Sequence, residues 1–157
     1  MTARAYKVVG TIGWLVVPYV AAAVGAQFSA RDYYAQLTRP EWAPPGWLFA
    51  PVWTLLYLMM GISAALVWQR QGFDRGRVAL GLFVVQLVLN AAWSWIFFGM
   101  RMPGVALVEI ITLWVLIVAT VVAFWRARVV AGMLLFPYLA WVSFAVTLNY
   151  SIWRLNS

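Results

Sequence analysis

Met102–Trp125 reads MPGVALVEIITLWVLIVATVVAFW, 24 residues with a single charged side chain, Glu109. At 1.5 Å per residue, a helix of that length reaches about 36 Å and crosses the roughly 30 Å hydrocarbon core of a bilayer. Four other runs repeat the pattern: Val8–Phe28, Trp47–Trp68, Val78–Met100 and Val129–Tyr150, of 21, 22, 23 and 22 residues. The five runs take up most of the 157 residues and leave too little chain for a soluble domain. The expected fold is all-α: one membrane domain over residues 1–157, an up-down bundle of five transmembrane helices. The first run is too long for a cleavable signal peptide, and no small-x-small site followed by a hydrophilic domain succeeds it. It reads as the first permanent span. An odd number of spans also disfavours a simple two-fold duplication.

Composition narrows the chemistry. The chain is 66% hydrophobic and 10% charged, against about 25% charged residues in an ordinary soluble domain. It holds 11 Trp, 7 Tyr and 9 Phe, with no Cys and no His. Disulfides, thiol redox centres and Cys/His zinc sites are thereby excluded. Haem on an axial His or Cys and His-based acid–base catalysis are excluded too. Lys7 is the only lysine, so a Schiff base at mid-membrane has no candidate. No metal site is expected.

The net charge of +7 does not point to nucleic acid, because the basic residues stand singly or in pairs between apolar runs. Charge so placed sets insertion orientation. Arg4, Lys7, Arg70, Arg75, Arg77, Arg126 and Arg128 fall on one side, and Arg31, Arg39, Arg101 and Arg154 on the other. The excess predicts the N-terminus inside and the C-terminus outside.

The connections Gln69–Arg77, Arg101 and Arg126–Arg128 are short, whereas Ser29–Gly46 is long and distinctive. Ser29 and Asp32 form a Ser-x-x-Asp capping box, which predicts a short helix over Ala30–Leu37. Arg39-Pro40-Glu41-Trp42-Ala43-Pro44-Pro45-Gly46-Trp47 follows, with three prolines and two tryptophans in nine residues. Each proline fixes φ and removes a donor, so the segment is stiff. A long, rigid, aromatic loop is a candidate lid. Pro51 falls in the first turn of helix two, where a missing N–H costs nothing.

Polar and aromatic residues at membrane depth supply the candidate site. Gln86, Asn90 and Trp93 share a face of helix three; Trp141, Ala145 and Asn149 share a ridge of helix five; Trp53 and Tyr57 have the same spacing in helix two. Trp53 lies roughly 9 Å and Asn90 roughly 15 Å below the lid side. Such residues would line one mostly aromatic cavity under the lid, suited to a flat apolar molecule. Two readings stand for the amides: they orient a ligand, or they bond neighbouring helices. Trp14, Trp42, Trp47, Trp68, Trp125 and Trp153, near span ends, read as an interfacial belt. Trp53, Trp93, Trp95, Trp114 and Trp141 read as deeper. Glu109 pairs with Arg101 or an amide, or sits neutral by desolvation, and is a candidate proton-coupling group. Pro137 is expected to kink helix five. Leu148-x-Tyr150-x-x-x-Arg154 fits a proposed sterol-contact pattern, but so does Arg31-x-Tyr33-x-x-x-Leu37 reversed, which shows how weak the pattern is.

The segment Trp42-Ala43-Pro44-Pro45-Gly46-Trp47, followed by Pro51-Val52-Trp53-Thr54-Leu55-Leu56-Tyr57, resembles the translocator protein family (TspO/MBR, tryptophan-rich sensory proteins). So do Gln86-x-x-x-Asn90-x-x-Trp93, Pro137-Tyr138-x-x-Trp141, Leu148-Asn149-Tyr150 and Arg154-Leu155-Asn156. The resemblance covers essentially the whole chain. It implies a five-helix bundle, frequently dimeric, with a pocket below the first loop that takes porphyrins such as protoporphyrin IX. Carried over by position, the ligand-binding residues are Tyr34, Trp53, Tyr57, Asn90, Trp93, Trp141 and Ala145, beside Asn149 from the cavity reading. Leu148, Tyr150 and Arg154 make up the sterol motif. Trp53 and Trp141 match the tryptophans implicated in light-driven porphyrin breakdown. Three functions are thus expected in order: porphyrin binding for sensing, sequestration or transport; light-dependent porphyrin degradation; proton-coupled export of lipophilic compounds. No cofactor is required beyond a porphyrin as ligand. The expected partners are that ligand, the lipid bilayer and a second copy of the chain, in a bacterial membrane.

Overall fold

Inside lipid every backbone N–H and C=O must be paired within the segment, so apolar runs of this length fold as helices. The computed structural model describes residues 2–28 and 31–157, and among these there is helix and no strand. In chain order the elements are α1 (Ala3–Ala26), α2 (Arg31–Gln36), a 3-10 turn (Gly46–Leu48) and α3 (Phe49–Ser94). A π-helical turn (Trp95–Gly99) follows, then α4 (Pro103–Ala127), α5 (Val129–Leu134) and α6 (Phe136–Leu155). Of the expected capping box, Ser29 and Ala30 lie outside the described residues.

The 46 residues of α3 would run about 69 Å if straight, over twice the bilayer core. They do not run straight. Gly72, at φ 62° and ψ −162°, breaks the helix and folds its second arm back along its first. The Tyr57 hydroxyl meets Asn90 at 2.7 Å and Gln86 meets the Met60 sulfur at 4.0 Å, two pairs that straddle Gly72 about equally. Where the polar run Gln69–Arg77 reads as a loop, the backbone is helical on either side of one glycine. The five spans are therefore α1, the two arms of α3, α4 and the α5–α6 pair.

The last span breaks at Leu135, two residues before Pro137. A proline denies a donor to the carbonyl four residues back and crowds it, so the interruption falls ahead of the ring. The Leu135 carbonyl is still satisfied, by the Leu139 N–H at 3.0 Å.

One tryptophan differs from expectation, and two at the expected depth face outward. Trp68, expected at the interface, is 6% exposed and donates its indole N–H to the Lys7 carbonyl at 3.2 Å. Its ring lies where a Cβ on Gly10 would overlap it, so the glycine is what admits the ring between α1 and α3. Trp95 and Trp114, expected deep, are 49% and 37% exposed on the outer surface. Sequence position fixes the depth of a residue but leaves the face to helical phase, and Phe97 and Leu113 take the inward places. The main core joins both arms of α3 to α4, α5 and α6 through Met60, Phe83, Ile117, Phe124, Ala131 and Tyr138. Within it Ser63 donates to the Ala131 carbonyl at 2.6 Å, tying the first arm of α3 to α5.

Gly72 occupies a region of backbone space open essentially to glycine alone, and no atom lies within 4 Å of a Cβ placed there. The cost of Gly72→Ala is then conformational: about 1–3 kcal/mol of stability lost. The helical Gly13, equally free of neighbours, serves as the control, and Gly13→Ala is expected to be neutral or slightly stabilising. Unfolding midpoints in one detergent compare the two, and equal midpoints would refute the assignment.

Candidate functional site

The site is built from two ridges that face each other below the lid. In the first arm of α3, Phe49, Trp53 and Tyr57 recur every four residues and so lie on one face. In α6, Tyr138, Trp141 and Ala145 follow at spacings of three and four, again one face. The ridges meet through rings: Phe49 contacts Trp141 at 5.8 Å and Trp53 contacts Tyr138 at 6.1 Å, both edge to face. Trp53 also stacks on Tyr57 at 5.3 Å, with planes 30° apart. Edge-to-face and offset contacts are the favoured aromatic geometries because ring quadrupoles attract that way. Trp53, Trp93, Trp141 and Ala145 are half-buried.

The lid reaches this assembly through Tyr34, whose ring meets Phe49 at 5.5 Å, and through Trp42, which meets Phe144 at 5.9 Å. Phe144 in turn contacts Trp141 at 5.4 Å. Tyr34 is braced inside the lid itself. Its hydroxyl donates to the Pro44 carbonyl at 3.4 Å, and the Arg39 guanidinium lies 4.8 Å above its ring. Leu37, Arg39, Pro40, Glu41, Ala43 and Pro45 border a cavity of about 430 Å³ in the lid.

Below the rings runs a one-way chain of hydrogen bonds. Tyr57 donates its hydroxyl to Asn90 Oδ1 at 2.7 Å, Asn90 Nδ2 donates to the Tyr138 hydroxyl at 3.1 Å, and Tyr138 donates to Gln86 Oε1 at 2.7 Å. All four residues are buried. Asn149 forms a second node: it accepts from Trp93 Nε1 at 3.0 Å and donates to the Pro103 carbonyl at 2.8 Å. That node ties α6 to the second arm of α3 and to the start of α4. Gln86, Asn90 and Asn149 thus bond neighbouring helices.

Trp93 stacks on Phe97 at 4.9 Å, where the π turn begins to widen the helix end. Tyr33 of the lid meets Phe97 at 6.2 Å and lies under the Arg101 guanidinium, 5.3 Å from its ring. Arg101, at φ 56°, takes the left-handed turn between the π segment and α4. Burial raises the Tyr33 phenol above its ordinary pKa, and Arg101 offsets part of the rise. The expected pairing of Glu109 with Arg101 or an amide is absent: both carboxylate oxygens are buried with no hydrogen-bond partner among the described residues. The sterol-motif residues do not share a face. Leu148 is buried at 5% exposure, while Tyr150 and Arg154 point outward.

The structure brings Tyr34, Trp53, Tyr57, Asn90 and Trp141 into one continuous assembly, with Trp93 and Asn149 beside it nearer the lid. Sequence reasoning left out Phe49, Tyr138 and Phe144 as site residues. A signal existed for two of them, since Phe49 precedes Trp53 by four and Tyr138 precedes Trp141 by three.

Tyr138→Phe removes the hub hydroxyl and leaves a buried Asn90 donor and a Gln86 acceptor unpaired, which should cost about 1–3 kcal/mol of stability. Tyr57→Phe leaves only one acceptor unpaired and should cost less. Unfolding midpoints of the two variants in the same detergent check the order, and equal small losses would show that Tyr138 is not the hub.

Residues 14–154 match the model of the TspO/MBR family. A tryptophan-rich protein TspO of Chlorobaculum tepidum is 49% identical over 84% of this chain and 86% of its own. The translocator protein of Homo sapiens is 42% identical over 94% and 90%. A tryptophan-rich sensory protein of Cereibacter sphaeroides is 37% identical over 86% and 84%. With the aromatic lid, the facing ridges and this match along nearly its full length, the chain, an all-helical multi-pass membrane protein, belongs to the TspO/MBR family.

Proposed function

We propose that the protein binds a tetrapyrrole such as protoporphyrin IX between the two aromatic ridges, for sensing, sequestration or transport. The observation that carries this reading is the edge-to-face seam of Phe49 against Trp141 and Trp53 against Tyr138, with Tyr57 stacked on Trp53. A flat conjugated ring inserted there would exchange ring–ring contacts of the protein for ring–ligand contacts of the same kind. Each good aromatic contact contributes about 0.5–1.5 kcal/mol beyond the area it buries, and none requires a metal ligand. The half-buried state of Trp53 and Trp141 supports the reading, since both keep surface available. Family membership supports it further and accords with assembly as a homodimer, and the excess of Lys and Arg on one side supports an N-inside orientation in the proposed bacterial membrane.

A second reading, proton-coupled export, rests on Glu109, whose buried oxygens have no hydrogen-bond partner among the described residues. An unpartnered acid at membrane depth is a candidate for proton carriage. It ranks below binding because Glu109 belongs to neither ridge. Unaltered pH-driven efflux from liposomes carrying Glu109→Gln would remove it.

Titrating the purified protein with protoporphyrin IX should quench tryptophan fluorescence to saturation. The double variant Trp53→Leu/Trp141→Leu should bind about tenfold or more weakly, with helical content unchanged by circular dichroism. Equal affinity in the double variant would refute the site. The same titration under illumination, with absorbance followed against detergent alone, separates binding from light-driven breakdown.

A further inference from the structure

The lid is braced internally by the Tyr34–Pro44 bond, the Arg39–Tyr34 contact and the Ala43 N–H to Pro40 carbonyl bond at 2.9 Å. Toward the bundle, its contacts through Tyr33, Tyr34 and Trp42 are ring contacts, which allow sliding. Apart from the local backbone bonds where the lid runs into α3, such as Leu48 N–H to the Pro45 carbonyl at 3.0 Å, one residue pair supplies the hydrogen bonds between lid and bundle among the described residues. The Thr38 N–H donates to Asn156 Oδ1 at 3.0 Å, and Asn156 Nδ2 donates back to the Thr38 carbonyl at 2.9 Å. The two residues are 118 positions apart in the chain.

The bundle side of this clasp is fixed in advance. Asn156 is the C-cap of α6, its backbone N–H bonds to the Ile152 carbonyl, and its Nδ2 donates to the same carbonyl at 2.7 Å. Ile152 is 1% exposed, so the last turn of α6 is anchored in the core. The amide plane is thereby held facing Thr38, with both amide hydrogens in use. The clasp itself is exposed to water, and exposed hydrogen bonds exchange readily with solvent. That combination suits a latch that opens.

We propose that Asn156 is the positioning residue of the lid: its clasp on the Thr38 backbone sets how fast a ligand enters and leaves the aromatic seam. The gating rests on the porphyrin reading above; the clasp does not. Truncating a latch speeds entry and exit together and leaves affinity nearly constant. General destabilisation weakens affinity without speeding entry.

The test uses the full chain in lipid nanodiscs. In Asn156→Ala, amide hydrogen exchange at Thr38 should accelerate about tenfold. Stopped-flow association and dissociation of protoporphyrin IX should both accelerate several-fold, with the ratio held within about threefold. Asn156→Asp keeps the acceptor and loses the donor, so its rates should fall between the two. Because the chain has no Cys, Thr38→Cys/Asn156→Cys introduces its only thiols; oxidation should arrest porphyrin exchange and reduction restore it. Unchanged Thr38 exchange in Asn156→Ala would overturn the clasp. Faster Thr38 exchange with unaltered porphyrin rates, or free porphyrin exchange in the oxidised pair, would overturn the gating. Absence of porphyrin binding in the unmodified protein would overturn the porphyrin reading and the gating with it, while Thr38 exchange would still decide the clasp.

Discussion

The hydrogen-bonded chain from Tyr57 through Asn90 and Tyr138 to Gln86 is the interaction on which the rest of the bundle depends. Lipid tails are as apolar as leucine, so burying apolar surface between spans gives little drive for helices to associate in a bilayer. Packing and interhelical hydrogen bonds do that work. Here the chain fixes α6 against both arms of α3 at one register, since a shift by one residue would turn Tyr138 away from Asn90 and leave a buried amide without partners. The aromatic ridges inherit their alignment from it: Trp53 sits one turn from Tyr57, and Trp141 one turn from Tyr138. Asn149 repeats the device nearer the lid, where Trp93 and the first carbonyl of α4 converge on one side chain.

The lid follows a different logic. Its prolines withhold backbone donors, and its tryptophan and tyrosine rings fill the positions that donors would otherwise occupy. It is stiff within itself and held to the bundle mainly by ring faces and edges. Ring contacts have broad minima compared with hydrogen bonds, so once the Thr38–Asn156 clasp opens such a cover can shift laterally. The left-handed Arg101 and the π turn before it sit where the lid rests on the bundle, a position at which local irregularity often accompanies function.

The spans were legible because their lengths match a bilayer and little else produces runs of that size. Trp53 with Tyr57, and Trp141 with Ala145 and Asn149, were legible because a four-residue period places side chains on one face whatever the partner. Phe49 and Tyr138 had a comparable helical spacing, but it marks only their face; that Phe49 meets Trp141, Tyr138 meets Trp53 and Phe144 meets Trp42 is set only when helices and lid are docked. The inward face of Trp68 and the outward faces of Trp95 and Trp114 were hidden for a related reason: depth follows from counting, but inward or outward direction depends on helical phase. The turn at Gly72 was hidden among polar residues that serve equally in a loop or in helix emerging from lipid. Only the left-handed φ of one glycine distinguishes them.

That one-residue turn bears on how the protein enters its membrane. With no slack between its arms, α3 is a helical hairpin, and its second arm cannot cross the bilayer far from its first. Gln86 and Asn90 carry polar amides that would be costly facing lipid alone, yet the first arm already offers the Met60 sulfur and the Tyr57 hydroxyl at matching heights. The two arms can therefore insert as a pair whose polar atoms are partly satisfied before α6 is made. Tyr138 then arrives last and closes a circuit whose other members are in place.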